Sequence, residues 1–466
     1  MTDTDTDALF RAERPSAPAR LALSELHASL GDPALESMNF LNEVAGRHPD
    51  ALSLAAGRPY EEFFDIEAVH RYLRRFEKYL TDERGFTPEQ ARGAFFQYGR
   101  TKGIIHELVA RNLEVDEGIT ADPESIVVTV GCQEAMFLVL RALRTDERDA
   151  VLAVSPTYVG LTGAARLVDM PVLAVPGGPG GVDLGALAAT VRNARADGLR
   201  PRACYLLADH SNPSGLSLDL ATRHALLDLA EREDLLLLED NPYGLFAAGT
   251  ERLPTLKALD TRRRVVYLGS YAKTGLPGAR VGFVVADQAV GGAPDAAGTG
   301  EPGGMGGSGG PGAAGGLFAD ELGKIKSMLT VNTSAISQAV IAGKLLEHDG
   351  SLVRANARET AHYRDNLARL LAGLADAFPA DSGVRWNRPS GGFFLVVTVP
   401  FAVDDHLLET SARDYGVLWT PMRHFDDAPG ADRQLRLSVS VLTPEQLDEA
   451  IRRLTRLIND RMSRLS

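Results

Sequence analysis

Cysteine is scarce in this chain: Cys132 and Cys204 are the two thiols among 466 residues. Two thiols this far apart provide neither a disulfide framework nor the spacing of a metal site, so no metal is expected and a reducing cytoplasm suits the chain. Basic residues are outnumbered, 49 Lys and Arg against 62 Asp and Glu, for a formal net charge of −13. Nothing in that balance attracts nucleic acid or an anionic membrane. Apolar runs long enough to span a bilayer are missing, and the first residues, MTDTDTDALFRAERP, are polar and acidic with no apolar core of a signal peptide. No internal repeat is visible. What is present is bulk: 44% hydrophobic residues in a chain of this length suffice for a large core and two or three domains.

The middle of the chain alternates short apolar runs with helical stretches. Strands are expected at 126–130, 150–154, 171–175, 203–207, 235–239, 265–268 and 282–286. Helices are expected near 104–113, 133–144, 160–167, 184–194 and 218–233. This alternation predicts an α/β fold with a mostly parallel sheet covered on both faces. Residues 1–20 read as a mobile arm. From Leu21 to about His48 apolar residues recur at helical spacing, first Leu21, Leu23, Leu26 and Leu30, then Met38, Leu41 and Val44. Residues 290–316 are Gly-rich with almost nothing to bury and read as a disordered surface insertion. Beyond it, helices are expected at 319–328, 334–346 and 352–378. A smaller α/β unit follows, with strands at 393–399, 417–420 and 435–439 and a helix at 404–415. Thr443, with Pro444 behind it and Glu445 and Gln446 in the first turn, opens a last helix.

Chemistry concentrates after three of the strands. Lys273 lies in Ser270-Tyr271-Ala272-Lys273-Thr274, just past an apolar strand. Upstream stand Asp240-Asn241-Pro242-Tyr243 and Ser211-Asn212-Pro213-Ser214-Gly215. An Asn, then an Asp with a Tyr, then a Lys suit one cofactor, pyridoxal 5'-phosphate. The Lys amine can form a Schiff base with its aldehyde, and the Asp can keep its pyridine nitrogen protonated. Asp240 is preferred to Glu239 because successive strand residues face opposite ways. Asn212 and Tyr243 can donate to the phenolic oxygen. Ser270 and Arg280 suit a phosphate, as do Cys132 and Gln133, which follow Gly131 where a strand opens into a helix. Tyr158 is a candidate to stack on the ring, and Tyr98 a candidate phosphate ligand reaching in from a neighbouring subunit. Arg436, alternating in the strand Leu435–Val439, can fork onto a substrate carboxylate. Arg58, Tyr60, Phe63 and Phe64 are candidates to line a pocket for an aromatic substrate.

With these motifs the chain resembles the class I/II aminotransferases of pyridoxal-phosphate fold type I, from about Leu52 to the C-terminus. Within that superfamily it is most similar to the 2-aminoadipate and aromatic branch, and the segments DPALESMNFLNEV, SLAAGRPYEEFFD and VTVGCQEAMFLVLRAL resemble hydroxyphenylglycine aminotransferases of antibiotic pathways. The resemblance implies a seven-stranded large domain at 51–333, a small domain at 334–466 joined by residues 1–50, and a homodimer with its active sites at the subunit interface. It implies Lys273 as Schiff-base residue and general base, Asp240 on the pyridine nitrogen, and Asn212 and Tyr243 on the phenolic oxygen. Tyr158 would be stacked, and Cys132, Gln133, Ser270 and Arg280 would hold the phosphate with Tyr98 of the partner chain. Arg436 would hold the substrate carboxylate beside Gly57 and Asn212. Three departures stand out: Ser211 where Gln is usual, Ala272 where Ser is frequent, and Cys132 where Ser is common. They point to an unusual substrate pocket. The implied reaction is amino transfer between an L-amino acid and a 2-oxo acid. The alternative on the same cofactor is oxidation, hydroxylation or elimination of an amino acid, since a fold does not dictate its chemistry. A DNA-binding regulator is disfavoured, because no basic recognition helix precedes the family region.

Overall fold

The computed structural model describes residues 20–32, 43–178, 180–249, 252–291, 316–426 and 428–464. Seven apolar runs form one sheet: β1 Ile126–Thr129, β2 Asp149–Ser155, β3 Val172–Pro176, β4 Arg200–Leu206, β5 Leu236–Asp240, β6 Val265–Ser270 and β7 Gly282–Val285. Their order is β1-β7-β6-β5-β4-β2-β3. Every neighbour is parallel except β7, which runs antiparallel to both β1 and β6. Adjacent residues of one strand feed opposite cores. Tyr205, Leu238 and Val266 pack on one face, while Cys204, Leu237 and Val265 pack on the other. Burial on both sides is why these strands read as unbroken apolar runs.

A smaller antiparallel sheet follows: β8 Arg385–Trp386, β9 Phe394–Thr398, β10 Thr420–Pro421 and β11 Gln434–Ser438, in the order β8-β9-β11-β10. Helices Ala357–Ala377 and Pro444–Met462 supply Leu370, Leu374, Leu454 and Ile458 to its core. Val44 and Leu54 join that core, and Leu52–Ser53 pairs in parallel with Val417–Leu418. The chain therefore enters through the smaller unit, builds the large sheet and returns. The helix Ala335–Glu347 contributes Ala339, Ile341 and Leu345 to a core shared with Phe76, Ile105 and Tyr271.

Several elements differ from expectation. The stripe Leu21 to Leu30 is not one helix. It forms two single 3-10 turns, Leu23–Glu25 and Ala28–Gly31, with all four leucines exposed. A short helix depends on burying its apolar face, and among the described residues nothing covers these leucines. The segment expected as one helix over 352–378 is broken into Leu352–Ala355 and Ala357–Ala377. At the break, the Asn356 amide donates to the Leu352 carbonyl and its oxygen accepts from Lys344, a side-chain competition that interrupts helices. The strand expected at 417–420 splits. Val417–Leu418 serves the N-terminal segment and Thr420–Pro421 serves β11, with Trp419 fully buried between them. Helices Ile66–Lys78 and Pro88–Phe96 have no counterpart among the expected elements. Met38, Leu41, the arm up to residue 19 and residues 292–315 of the Gly-rich stretch lie outside the described residues. The flanks of that stretch, Ala289–Val290 and Gly316–Leu317, pair antiparallel.

Candidate active site

The carboxyl ends of β4, β5 and β6 open onto a cavity of about 290 Å³, closed from the far side by β9 and β11 of the small sheet. Crevices at this end of parallel strands are where α/β folds bind ligands, because loops there can vary without disturbing the sheet.

Asp240 is the last residue of β5 and is buried. Its side chain points into the cavity, whereas Glu239 points the other way and accepts the backbone N–H groups of Leu256 and Lys257, both at 2.8 Å. The Tyr205 hydroxyl, from the adjacent strand and the same face, donates to Asp240 Oδ2 at 2.7 Å, and the Cys132 thiol donates to Oδ1 at 3.4 Å. Burial pushes the Asp240 carboxyl up to about 6, opposed by these two donors and by Lys273. The same burial, together with the Asp240 charge, holds the Cys132 thiol well above its ordinary value, so it stays a thiol.

Lys273 sits three residues past β6, and its Nζ donates to the Gly57 carbonyl at 2.7 Å. Burial and the positive charges of Arg280 and Arg436 bring its amine down to about 8, against the opposing pull of Asp240. Gly57 must be glycine: a Cβ there would lie 2.5 Å from the Phe394 ring. The absence of a Cβ lets the Gly57 backbone pack directly against that ring.

At the other end of the cavity Gly131, with φ +70°, turns β1 into the helix Gly131–Leu143. A Cβ on Gly131 would collide with the Arg280 guanidinium, and one on Gly282 would lie 2.6 Å from the Cys132 nitrogen. Arg280 is thus packed directly over a helix N-terminus, where free N–H groups and the helix dipole attract an anion. Ser270 lines the same end, its Oγ accepting the Ala272 N–H at 3.2 Å. Gln133 donates to the Gly160 carbonyl at 2.6 Å. Tyr158 lines the wall. Burial, then the charge of Asp240, pushes its phenol up to about 12.

Arg436 is buried at the centre of β11. Its Nη1 donates to Asn212 Oδ1 at 2.7 Å, and its Nη2 to the Ala55 carbonyl at 2.7 Å and Thr420 Oγ1 at 3.1 Å. The rings of Phe394 and Phe425 flank it at 4.4 and 4.9 Å. Its Nε has no partner among the described residues. Burial lowers its pKa to about 10, yet among the described residues no carboxylate forms an ion pair with it. A buried guanidinium without a counter-ion is costly unless a ligand supplies one. Tyr243, also buried, is held far above its ordinary pKa by desolvation, then by Tyr158.

Of the candidates read from the sequence, Lys273, Asp240, Tyr243, Asn212, Cys132, Gln133, Tyr158, Ser270, Arg280, Arg436 and Gly57 all line this one cavity. Tyr98 does not, being 84% exposed. Tyr60, Phe63 and Phe64 line a separate space of about 110 Å³ that also touches Lys273. There Tyr60 stacks on His362 at 4.3 Å, and Arg358 lies 4.0 Å over Phe63. Arg58 lines neither space and lies 3.5 Å from Glu61. Tyr205, Phe394, Phe425 and Thr420 are functional neighbours that the sequence motifs do not single out. Tyr205 is recoverable from strand parity alone, since it pairs in register with Leu238, two residues before Asp240. Among the described residues no cluster of three or more His, Cys, Asp or Glu could hold a metal ion, and no helix is long and apolar enough to cross a membrane.

Residues 53–454 match the family model for aminotransferase class I and II, and the chain belongs to that family. It is 53% identical over 443 residues to the (S)-3,5-dihydroxyphenylglycine transaminase of Amycolatopsis orientalis, covering 95% of this chain and 96% of that one. In structure it is similar to the α-aminoadipate aminotransferase of Thermus thermophilus, solved with N-(5'-phosphopyridoxyl)-L-leucine. The TM-score is 0.74 at 27% identity, over 96% of this chain and all of the other. The kynurenine aminotransferase of Pyrococcus horikoshii, solved with PMP, is likewise similar, with TM-score 0.74 and 26% identity over 91% of this chain and 94% of that one.

Proposed function

We propose that this aminotransferase holds pyridoxal 5'-phosphate in the 290 Å³ cavity and uses it to move an amino group between a hydroxyphenylglycine-type L-amino acid and a 2-oxo acid. The observation that carries the reading is the convergence on that cavity of Lys273, Asp240 and a buried Arg436 without a counter-ion. The residues fit the cofactor. The glycine cradle under Arg280 has no room for a Cβ, matching a close approach of backbone to phosphate, and Asp240 keeps an acceptor for a ring N–H. When bound, the cofactor supplies an electron sink for the substrate α-carbon.

The chain's own residues do the rest. Arg280, Ser270, Gln133 and the helix N-terminus at Cys132 would anchor the phosphate. Asp240 would hold a proton on the ring nitrogen, Asn212 and Tyr243 would donate to the phenolic oxygen, and Tyr158 would pack against the ring. Arg436 binds the substrate α-carboxylate beside Gly57 and Asn212, offering Nε and whichever Nη bonds the ligand displaces. With its amine brought down to about 8, Lys273 is in its neutral form above that pH and can then take up the α-proton at Nζ. The two half-reactions share one site, so the kinetics are ping-pong.

The arylglycine assignment is supported by the Amycolatopsis relative, named for a dihydroxyphenylglycine. The enzymes compared above are transaminases, which favours amino transfer over the oxidase, hydroxylase or lyase alternative. A homodimer is part of the same reading, supported by the exposed side chains of Phe96, Tyr98 and Met328, with Tyr98 reaching the partner's phosphate site. So are a cytoplasmic location and a division into a large domain, 51–333, and a small one, 334–466 joined by residues 1–50. The test is a donor screen followed by visible absorbance of the bound cofactor. Hydroxyphenylglycines should shift the spectrum and release their 2-oxo acid without consuming oxygen. No shift with arylglycines, aromatic amino acids, 2-aminoadipate or arginine sinks the proposal.

A further inference from the structure

The Asp240 carboxylate is gripped at both oxygens before any ligand is considered. Tyr205 donates to Oδ2 at 2.7 Å and Cys132 to Oδ1 at 3.4 Å. Tyr205 is fully buried near the carboxyl end of β4, with its hydroxyl directed along the sheet to the end of the next strand. A buried hydroxyl needs a partner, and this one spends its only proton on a carboxylate. Cys132 approaches from a different element, the first turn of the helix Gly131–Leu143. Two donors on two oxygens from two rigid elements remove the rotational freedom of the carboxyl group. Each oxygen accepts more than one hydrogen bond, so a lone pair remains for a third donor in the cavity.

We propose that Tyr205, assisted by the Cys132 thiol, is a positioning residue that holds the Asp240 carboxylate ionised and aimed at the cofactor's ring nitrogen. The inference rests on the cofactor reading above and assigns the Cys132 side chain to the acid, leaving its backbone N–H for the phosphate. Its physical basis is that hydrogen bonds to the charged form stabilise it, and that a fixed carboxylate needs no reorganisation to meet a pyridinium. The other titratable groups facing Asp240 are Lys273, Tyr158 and Tyr243. Among the hydrogen bonds to its carboxylate, those from Tyr205 and Cys132 oppose the desolvation that raises its pKa. The tyrosine is the stronger of the two donors, since a thiol donates weakly and from farther away.

The experiment compares the affinity of the protein, freed of cofactor, for pyridoxal phosphate and for an analogue with carbon in place of the ring nitrogen. Tyr205→Phe removes one oxygen and keeps the ring that fills the core. It should bind pyridoxal phosphate on the order of 10-fold more weakly than the unaltered protein, as expected for a lost hydrogen bond to a charged group. Both proteins should bind the analogue equally, because it has no ring nitrogen for Asp240 to meet. An equal loss for both ligands would reveal a role in packing alone, and undiminished pyridoxal phosphate binding would show that the tyrosine does not act on the acid; either overturns the inference. Should Tyr205→Phe fail to fold, Cys132→Ala decides by the same criterion, with a smaller loss confined to pyridoxal phosphate in support. Unaltered protein that takes up no pyridoxal phosphate overturns the cofactor reading itself.

Discussion

Glu239 and Asp240 are consecutive, both buried and both acidic, yet they face opposite sides of β5: one caps a short helix and the other enters the cavity. Their amides should therefore have different phenotypes. Asp240→Asn should fold normally and lose transaminase activity on the order of 100- to 1000-fold, the scale for removing a charge-stabilising group from an active site. Glu239→Gln should keep activity within a few-fold and lose about 1 kcal/mol of stability, the scale of a lost helix cap. Steady-state rates and denaturant unfolding on both variants check this.

The amine of Lys273 stands at about 8 rather than its ordinary value because burial and two arginines disfavour the ammonium form. Only the neutral amine attacks an aldehyde. Capture of pyridoxal phosphate by the cofactor-free protein should therefore quicken as pH rises and level off just above 8. The sign follows for stability too. Between about 8 and the ordinary lysine value the unfolded chain binds more protons than the folded one, so this group makes the cofactor-free protein more stable as pH climbs through that window. Stopped-flow absorbance and unfolding curves across the range test both statements.

Arg436 is buried between two phenylalanine rings with its Nε unpaired. Arg436→Lys keeps a charge but loses the planar fork, so KM for the amino acid should rise on the order of 10- to 100-fold. Pyridoxal phosphate affinity should be unchanged, because the proposed contact is to substrate. Initial-rate kinetics and cofactor titration separate the two.

Gly57 offers its carbonyl to Lys273 where a side chain would strike Phe394. Gly57→Ala should cost about 1–3 kcal/mol, the range for overpacking a core, and lower activity by displacing the lysine's acceptor. Thermal unfolding together with turnover measures both consequences.

Much of this is legible in one dimension. Parallel strands announce themselves as unbroken apolar runs because both faces are buried, and Asn212, Asp240 and Lys273 fall at or just past the carboxyl ends of β4, β5 and β6, where such sheets bind ligands. One local signal occurs twice. Thr443-Pro444-Glu445-Gln446 marks the expected last helix, and the identical Thr87-Pro88-Glu89-Gln90 opens the helix Pro88–Phe96, absent from the expected elements, with the same capping box. The Leu21–Leu30 stripe shows the opposite failure, since periodicity alone does not say whether a surface exists to cover it.

By itself the order of residues determined the alternating architecture, the side of the strand on which each acid lies, and the groups available for chemistry. These are local properties, dictated by backbone periodicity and side-chain type. Tertiary structure decided which groups meet: Tyr205 with Asp240 across two strands, Gly57 with Lys273 across 216 residues, and Asn212 of the turn beyond β4 with Arg436 of the small sheet. It also decided their protonation, because desolvation depends on everything packed around a group rather than on its neighbours along the chain.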